Sequence, residues 1–326
     1  MDSSHPQRLA KTEGQNIQEM ADILTIVVTY NGMKWIDRCL RSVKASTIVS
    51  DVMVIDNGSE DGTPDFIRKH FPEVILSGNK ENLGFGAANN VGLRYALANG
   101  YSYVYLLNQD AWVFPKTFAT LVRAFGEKDM EEPEGQGIDN KENRKKAGRH
   151  IGILSPMQME ANLTRMDAQF RKHCGPALEK DASETVIVPF VMAAHWMISR
   201  ECLESVGGFS PAFPHYGEDV DYIHRAAYKG FAAAVVKTAS AVHDRADRPR
   251  PKDYRMKLKV ITAKAAVTNP LSNPLFALIG QSVILALQGA RHFSTIPWKG
   301  IGELHGSFGE LKRLREEAKE TCAFLR

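Results

Sequence analysis

Cysteine is scarce in this chain of 326 residues, and the few that occur are scattered. No two of them form a CxxC pair, which excludes the usual zinc-binding and dithiol spacings. A secreted fold stapled by disulfides would need more cysteines in a shorter chain. We therefore interpret the thiols as reduced and the protein as cytoplasmic; they are Cys39, Cys174, Cys202 and Cys322.

A strong charge of one sign and a long unbroken apolar run are also missing. The net charge of +3 argues against a general nucleic-acid binder. The polar first 20 residues contain no apolar core of a secretory signal, and residues 1–21 are predicted to be a loose leader. The longest apolar stretch, Pro274–Ala290, is interrupted by glutamine, serine and glycine. It predicts a buried or interfacial helix in preference to a membrane span.

Short apolar runs alternate with helical periodicity in the first third of the chain. This alternation predicts an α/β fold with a mainly parallel, doubly wound central sheet flanked by helices. Ligands of such sheets bind where the strands end. The predicted strands are Leu24–Thr29, Val52–Ile55, Val74–Leu76 and Tyr103–Leu107.

The rest of the chain predicts one domain and an extension. Residues 127–150 are charged and nearly free of apolar side chains, so we expect a mobile surface excursion there. Further strands are expected at Ile151–Leu154, around Thr185–Ser199 and at Ala232–Val236, with a helix near Glu201–Val206. The main domain would then cover residues 22–250, and residues 251–326 would form a helical C-terminal extension.

Polar residues follow two of the predicted strands. Asn108, Gln109 and Asp110 end the fourth strand, and Asp56 ends the second. A carboxylate at this edge can bind a metal ion or accept hydrogen bonds from a base imide or a ribose hydroxyl. For Asp56 a turn-forming role is the alternative, because Asp-Asn-Gly-Ser is strong turn chemistry.

A glycine-containing segment follows the third strand. It reads Asn82-Leu-Gly84-Phe-Gly86-Ala-Ala-Asn89, with small residues where a ligand could approach the backbone. An ordinary loop before a helix is the alternative. A dinucleotide fingerprint would follow the first strand and carry a third glycine where Asn89 stands, so an NAD-dependent oxidoreductase is disfavoured.

Three carboxylates lie within four residues at a predicted helix start: Glu218, Asp219 and Asp221. One of them is explained by helix capping, and the others suit a general base whose pKa is raised by its neighbours. His243 follows an apolar strand and could complete the metal shell of Asp110, although a single histidine is often structural. For His195 we expect a hydrogen-bonded wall residue.

Basic residues dominate from Arg245 to Lys264. A solvated helix face preceded by a polar loop accounts for them. The alternatives are a lid over a diphosphate or a patch for anionic lipid headgroups.

Taken in order, these segments resemble family-two inverting glycosyltransferases of the GT-A fold, and most of all rhamnosyltransferase-like enzymes of surface-polysaccharide assembly. The resemblance covers about Ile23 to His243. It rests on six ordered pieces: Val27-Val-Thr-Tyr-Asn31, Val54-Ile-Asp-Asn-Gly-Ser59, Asn82-Leu-Gly-Phe-Gly-Ala-Ala-Asn89, Leu106-Leu-Asn-Gln-Asp110, Val206-Gly-Gly-Phe209 and Gly217-Glu-Asp-Val-Asp221.

The resemblance implies a role for each matched residue. Asp110 would bind the metal ion with His243 nearby, although the motif here is Asn-Gln-Asp, with one carboxylate instead of two. Asp219 would deprotonate the acceptor, with Glu218 beside it. The nucleotide sugar would contact residues from four segments: Thr29, Tyr30, Asn31, Asp56, Asn82, Gly84, Gly86, Asn89, Asn108 and Gln109.

The resemblance also implies the partners. We expect Mg²⁺ or Mn²⁺ as cofactor and dTDP-rhamnose or a UDP-sugar as donor. The acceptor would be a glycan or a lipid-diphosphate-linked glycan, transfer would invert the anomeric centre, and the protein would lie in the cytoplasm or peripherally on the inner face of the cell membrane. A non-catalytic sugar-nucleotide-binding or scaffold protein of the same fold is the alternative.

Overall fold

The computed structural model describes residues 22–129, 150–245 and 253–325. The predicted leader, most of the predicted charged excursion, and Arg248, Arg250 and Lys252 of the basic stretch lie outside these residues. Residues 127–129, the first three of the predicted excursion, belong to the helix Thr117–Asp129.

A single nine-stranded sheet forms the centre of the protein, with strand order β3-β2-β1-β4-β8-β6-β9-β5 and β7 paired to β9. The strands are β1 (Ile23–Thr29), β2 (Asp51–Asp56), β3 (Ile75–Gly78), β4 (Tyr103–Asn108), β5 (Ala111–Val113), β6 (His150–Met159), β7 (Thr185–Val188), β8 (His195–Ser199) and β9 (Phe231–His243).

Helices cover both faces of the sheet and form the C-terminal region. They are α1 (Ile36–Lys44), α2 (Thr63–His70), α3 (Phe85–Ala98), α4 (Thr117–Asp129), α5 (Ala168–Lys180), α6 (Arg200–Val206), α7 (Glu218–Tyr228), α8 (Tyr254–Thr268), α9 (Pro274–His292), α10 (Ile296–Gly306) and α11 (Phe308–Glu317).

The predicted parallel arrangement holds for one half of the sheet. Strands β1, β2, β3 and β4 pair in parallel. In the other half β8 runs antiparallel to both β4 and β6, while β6 and β9 are parallel. The stretch predicted as one strand around Thr185–Ser199 forms two, because the chain leaves β7 at Val188 and re-enters the sheet at His195.

The apolar runs arise because both faces of the sheet are buried. Along β1, Leu24 and Ile26 face one core cluster and Ile23 and Val27 face the other, as the two-residue period of a strand requires. A separate small core holds the C-terminal helices together through Ala263, Val267, Leu278, Leu285, Leu304 and Leu311.

Candidate active site

The short strand β5 brings the predicted metal ligands together. It directly follows Asp110 and pairs with the end of β9, so that Ala111 lies opposite His243. The backbone N–H of Asp244 donates to the Asp110 carbonyl at 2.8 Å. As a result, His243 Nε2 lies 3.6 Å from Asp110 Oδ1, and both side chains are buried.

Asn108 adds an amide group to this pair. Its Nδ2 lies 3.4 Å from His243 Nε2. Its Oδ1 is buried and accepts no hydrogen bond from any residue that the structure describes. A carboxylate, an imidazole and a buried amide oxygen are suitable donors for Mg²⁺ or Mn²⁺.

Within residues 22–129, 150–245 and 253–325, no group of three or more histidine, cysteine, aspartate or glutamate side chains is arranged to hold a metal ion. These described residues therefore offer at most a partial shell. That is the usual situation for Mg²⁺, which retains waters and binds substrate phosphates alongside one or two carboxylates. The residues present fit a divalent ion that shares its coordination with a diphosphate.

Gln109, in the middle of the same motif, points to a different neighbour. Its Oε1 accepts hydrogen bonds from Thr29 Oγ1 at 2.7 Å and from the Tyr30 N–H at 2.9 Å. Its Nε2 donates to the Tyr30 carbonyl at 3.2 Å. Gln109 thus fixes the turn after β1 against the end of β4.

The end of β2 supplies a buried acceptor. Asp56 is 4% exposed, and its Oδ2 accepts from the Ser59 N–H at 3.1 Å, which is the predicted turn role. Its Oδ1 is buried and makes no hydrogen bond to the described part of the chain. Asn31 supports this edge: it adopts a left-handed conformation with φ of 49°, and its N–H donates to Ser59 Oγ at 2.8 Å.

The glycine-containing segment is held by an asparagine network. Asn57 Nδ2 donates to Asn82 Oδ1 at 3.1 Å, and the Gly84 N–H donates to the same oxygen at 2.9 Å. Asn89 Nδ2 donates to the Phe85 carbonyl at 2.9 Å, within helix α3. These contacts show how Asn82 and Asn89 are held in place, and they do not test the predicted contact with a nucleotide sugar.

Gly84 and Gly86 allow the segment to approach the loop before α7. Gly84 has a φ of +83°, and a Cβ there would stand 2.1 Å from the Pro214 carbonyl oxygen. A Cβ on Gly86 would meet Phe209 at 2.9 Å and Glu218 Cβ at 3.8 Å. Both positions therefore bring the end of β3 close to the predicted catalytic carboxylates.

Glu218 and Asp219 begin α7 after Gly217, whose φ of 89° turns the chain into the helix. Burial raises the pKa of both carboxyls, and the charge of Asp219 raises that of Glu218 further. Backbone N–H groups of Val220 and Ala193 and the charge of Arg245 oppose the shift in Asp219. The pair therefore favours one negative charge, which we place on Asp219.

The segment before β8 connects these carboxylates to the metal end. The backbone N–H of Ala193 lies close enough to Asp219 to lower the pKa of that carboxyl. The next residue, Ala194, accepts a hydrogen bond from the Asn108 N–H at 3.2 Å. The ring of His195 then lies 6.4 Å from that of His243. Three consecutive residues thus connect the candidate base to Asn108 and His243 at the metal end.

His195 itself is a buried wall residue, as predicted. Its Nδ1 accepts from the Tyr105 hydroxyl at 2.9 Å, and its Nε2 donates to the Val242 carbonyl at 3.0 Å. Burial, and then the proximity of His243, lower its pKa to about 3, so it stays neutral.

An aspartate that the sequence analysis did not single out holds Arg245. Arg245 donates from Nε and Nη2 to the two carboxylate oxygens of Asp167 at 2.9 and 2.7 Å. Burial alone would raise the pKa of Asp167, but the hydrogen bonds from Arg245 and from the Phe170 N–H outweigh burial and lower this pKa. In this structure Arg245 is therefore a fixed cation near Asp219. In the sequence, Asp167 could have been noticed only as an aspartate directly before the helix α5, which it caps.

Asp221, the third carboxylate of the cluster, has a structural role. Its Oδ2 accepts from Arg225 Nε at 2.8 Å, and its Oδ1 accepts from Thr268 Oγ1 at 3.0 Å. Arg225 also donates to the carbonyls of Val206 and Gly208. This buried pair fastens α7 to the loop after α6 and to α8.

The sheet, its flanking helices and the helical C-terminal region define the GT-A fold. TarS of S. aureus, in a chain of residues 1–349, matches 91% of this chain and 89% of its own length with a TM-score of 0.53 and 14% identity. A longer TarS chain is matched over 44% of its length, with a TM-score of 0.52.

The chain belongs to glycosyl transferase family 2, whose model matches residues 25–207. It is 26% identical over 248 residues to the N-acetylglucosaminyl-diphospho-decaprenol L-rhamnosyltransferase of Mycobacterium tuberculosis, covering 70% of this chain and 78% of that protein. It is also 26% identical over 174 residues to the undecaprenyl-phosphate mannosyltransferase of Micrococcus luteus, covering 50% and 72%. The protein is accordingly a glycosyltransferase.

Proposed function

We propose that this glycosyltransferase moves a sugar from a nucleotide-diphospho-sugar to an acceptor hydroxyl with inversion of the anomeric centre. The observation that carries the proposal is the link made by Ala193, Ala194 and His195. It joins Asp219, a carboxylate suited to proton abstraction, to the end of the sheet where Asp110 and His243 meet.

The proposed donor site lies along the ends of β1, β2 and β4. The unpartnered Asp56 Oδ1 is suited to accept the imide N–H of uracil or thymine. The ordered Tyr30 turn and Asn31 would form the adjoining wall. This chemistry supports dTDP-rhamnose or a UDP-sugar, and the name of the mycobacterial relative favours rhamnose.

Asp110 and His243 would hold Mg²⁺ or Mn²⁺, with the Asn108 amide oxygen beside them. When bound, such an ion would supply positive charge against the negative charge that develops on the departing nucleoside diphosphate. The buried position of both ligands strengthens this effect, because little water screens the site.

Asp219 would take the proton from the acceptor hydroxyl as that oxygen attacks the anomeric carbon. The backbone N–H groups and Arg245 keep its charge in place, while Glu218 remains protonated beside it. Attack from the face opposite the leaving diphosphate forms the new bond in one displacement. The anomeric configuration should therefore invert, with no covalent enzyme intermediate.

The proposed acceptor is a glycan or a glycan on a lipid diphosphate, in line with the name of the mycobacterial relative. A lipid-linked acceptor would place the enzyme peripherally on the inner face of the cell membrane. The corresponding division of the chain is a catalytic domain at residues 22–250 and a helical extension at residues 251–326. A scaffold protein of the same fold would retain the donor site and need no base.

A thermal-shift panel tests the donor assignment. The protein is heated with dTDP-rhamnose, UDP-sugars or GDP-mannose, each with and without Mg²⁺ or Mn²⁺. We expect a metal-dependent rise in melting temperature with a thymine or uracil nucleotide, and transfer of that sugar. Stabilisation by GDP-mannose alone would contradict the assigned base pocket. Donor binding without turnover on a lipid-linked acceptor would favour the scaffold alternative.

A further inference from the structure

Helix α9 turns an apolar face away from the protein. Phe276 is 74% exposed, Leu287 is 64% exposed and Leu275 is 52% exposed. A Cβ on Gly280, in the same part of the helix, would meet nothing within 4 Å. We call this surface the outer face of α9; it is formed by Leu275, Phe276, Ile279, Val283, Ile284 and Leu287.

The opposite side of α9 is fixed to the rest of the C-terminal region. Leu278 and Leu285 are buried in the core shared with α8 and α10. Ser282 donates to the Leu278 carbonyl at 2.8 Å and lies 3.0 Å from His305 Nε2. Large apolar residues therefore face outward as well as inward, unlike an ordinary surface helix, whose outer face is polar.

Exposed aromatic and basic residues lie at the C-terminal end of the same helix. Phe293 is 97% exposed and adopts a left-handed conformation with φ of 49°. Trp298 is 52% exposed and packs against α9, since a Cβ on Gly289 would stand 2.5 Å from its Nε1. Arg291 and Lys299 are exposed beside them. Aromatic rings with basic neighbours are typical of the boundary between headgroups and acyl chains.

The charge of this part of the chain has one sign. Between Tyr254 and Gly302 there are six lysines and arginines and no aspartate or glutamate. We propose that the outer face of α9 inserts into the surface of an anionic bilayer, with Phe293, Trp298 and the basic residues in the headgroup region.

Charge also favours a bilayer over a second copy of the chain on this face. A twofold contact would place the same surface opposite itself, so the exposed Arg291 and Lys299 would approach their own copies. Among the described residues, α9 is the helix that is long and apolar enough to cross a membrane by length and composition. Its attachment through Leu278 and Leu285 instead favours a helix lying in the plane of the surface.

The biological purpose of this membrane contact rests on the proposed function, because the contact would bring the active site to a lipid-linked acceptor. The contact itself can be tested separately. Flotation with phosphatidylcholine vesicles, with and without phosphatidylglycerol, tests it in the absence of donor and acceptor. The full chain should float with the anionic vesicles. The triple substitution Phe276→Ser, Val283→Ser and Leu287→Ser should reduce vesicle binding at least about tenfold.

A matched control replaces exposed apolar residues elsewhere, Val49→Ser and Leu163→Ser, and should float like the wild type. Both variants should keep the wild-type melting temperature, showing that they fold. Unchanged flotation of the triple variant would overturn the proposal. The proposal would also be overturned if the wild type were a dimer that the triple substitution dissociates. It would likewise be overturned if the wild-type protein resisted alkaline extraction from membranes, because that would indicate a spanning helix. Loss of transfer activity alone would count against the proposed function and not against this surface.

Discussion

Gln109 Oε1 accepts a hydrogen bond from Thr29 Oγ1 at 2.7 Å; Thr29 ends β1, and Gln109 directly follows the neighbouring strand β4. The middle residue of the Asn-Gln-Asp motif is therefore occupied in holding the turn that carries Tyr30. The residues of the motif therefore have different roles: Gln109 fixes the turn after β1, on the proposed donor side, and Asp110 faces His243.

Replacing Gln109 with alanine should destabilise this turn. Thr29 Oγ1 and the Tyr30 N–H lose their acceptor, which costs about 1 kcal/mol, since part of the turn is exposed to water. Denaturant unfolding measures the loss. Donor binding should weaken as well. Gln109→Glu retains the acceptor oxygen but loses the Nε2 donor to the Tyr30 carbonyl, so it should recover part of the stability; equal losses in both variants would contradict the role given to Oε1.

Asp219→Asn should abolish transfer while sparing the donor. An asparagine fits the same space but cannot take a proton, so kcat should fall by roughly 10²–10⁴-fold. Calorimetric titration with the nucleotide sugar should give a Kd close to that of the wild type. Asp65→Asn removes an exposed carboxylate on α2 and should change neither quantity. Activity near the wild-type rate in Asp219→Asn would remove the assigned base.

The raised pKa of the carboxylate pair gives opposite pH dependences for activity and stability. Burial raises the pKa of Asp219 above the ordinary aspartate value of about 3.9. As the pH drops through this raised pKa, Asp219 becomes protonated and kcat/KM should fall. Stability should change the other way. A folded-state pKa above the unfolded one favours the protonated folded form, so unfolding free energy decreases as pH rises through the raised values.

Glu218→Gln tests the stability part of this prediction, because burial and Asp219 also raise the pKa of Glu218. The variant should lose less stability than the wild type between pH 5 and pH 9. Thermal unfolding across that range measures it. Glu179→Gln, at an exposed position on α5, should follow the wild type. If the wild type instead gained stability relative to Glu218→Gln as the pH rises, the sign of the effect would be reversed and the assignment would be contradicted.

Removing either proposed metal ligand should uncouple donor binding from the ion. Asp110→Asn and His243→Ala should weaken metal-dependent donor binding at least about tenfold, because a charged contact contributes about 1.5–3 kcal/mol. Calorimetry with EDTA-treated protein, with and without Mn²⁺, measures the difference. Binding in the absence of metal should change little. An undiminished response to Mn²⁺ in both variants would place the ion elsewhere.

The buried pair of Arg225 and Asp221 should matter for stability far more than a surface pair. Arg225→Met leaves the Asp221 carboxylate buried without its cation and should cost about 3–5 kcal/mol. Arg41→Met breaks the exposed pair with Asp37 and should cost about 0.5 kcal/mol or less. Urea unfolding compares the two. Similar small losses would contradict the structural role of Asp221.

The sequence predicts those parts of the fold whose pattern follows from local burial. Strands β1 and β4 lie between two layers of helices, so most of their side chains are buried and the runs are mainly apolar. Strand β5 has three residues, too few for a period to be read, yet it sets the contact between Asp110 and His243. The direction of β8 depends on tertiary pairing, which no local pattern encodes.

The candidate site divides in the same way. Residue type identified Asp110, Asp219 and His243 as candidates for chemistry. It could not separate Asp219 from Asp221, because both are acids in the first turn of α7 and only their neighbours differ. Arg225, four residues after Asp221, was the available signal of an ion pair. The Ala193 contact involves a backbone N–H, which has no signature in the sequence.

The anomeric configuration of the product tests the central claim most directly. The wild-type protein is incubated with its donor, metal ion and acceptor, and NMR compares the anomeric configuration of the new glycosidic linkage with that of the donor. Our account predicts inversion, because Asp219 activates the acceptor for a single displacement. A product with retained configuration would contradict it, since no general base on Asp219 would then be required.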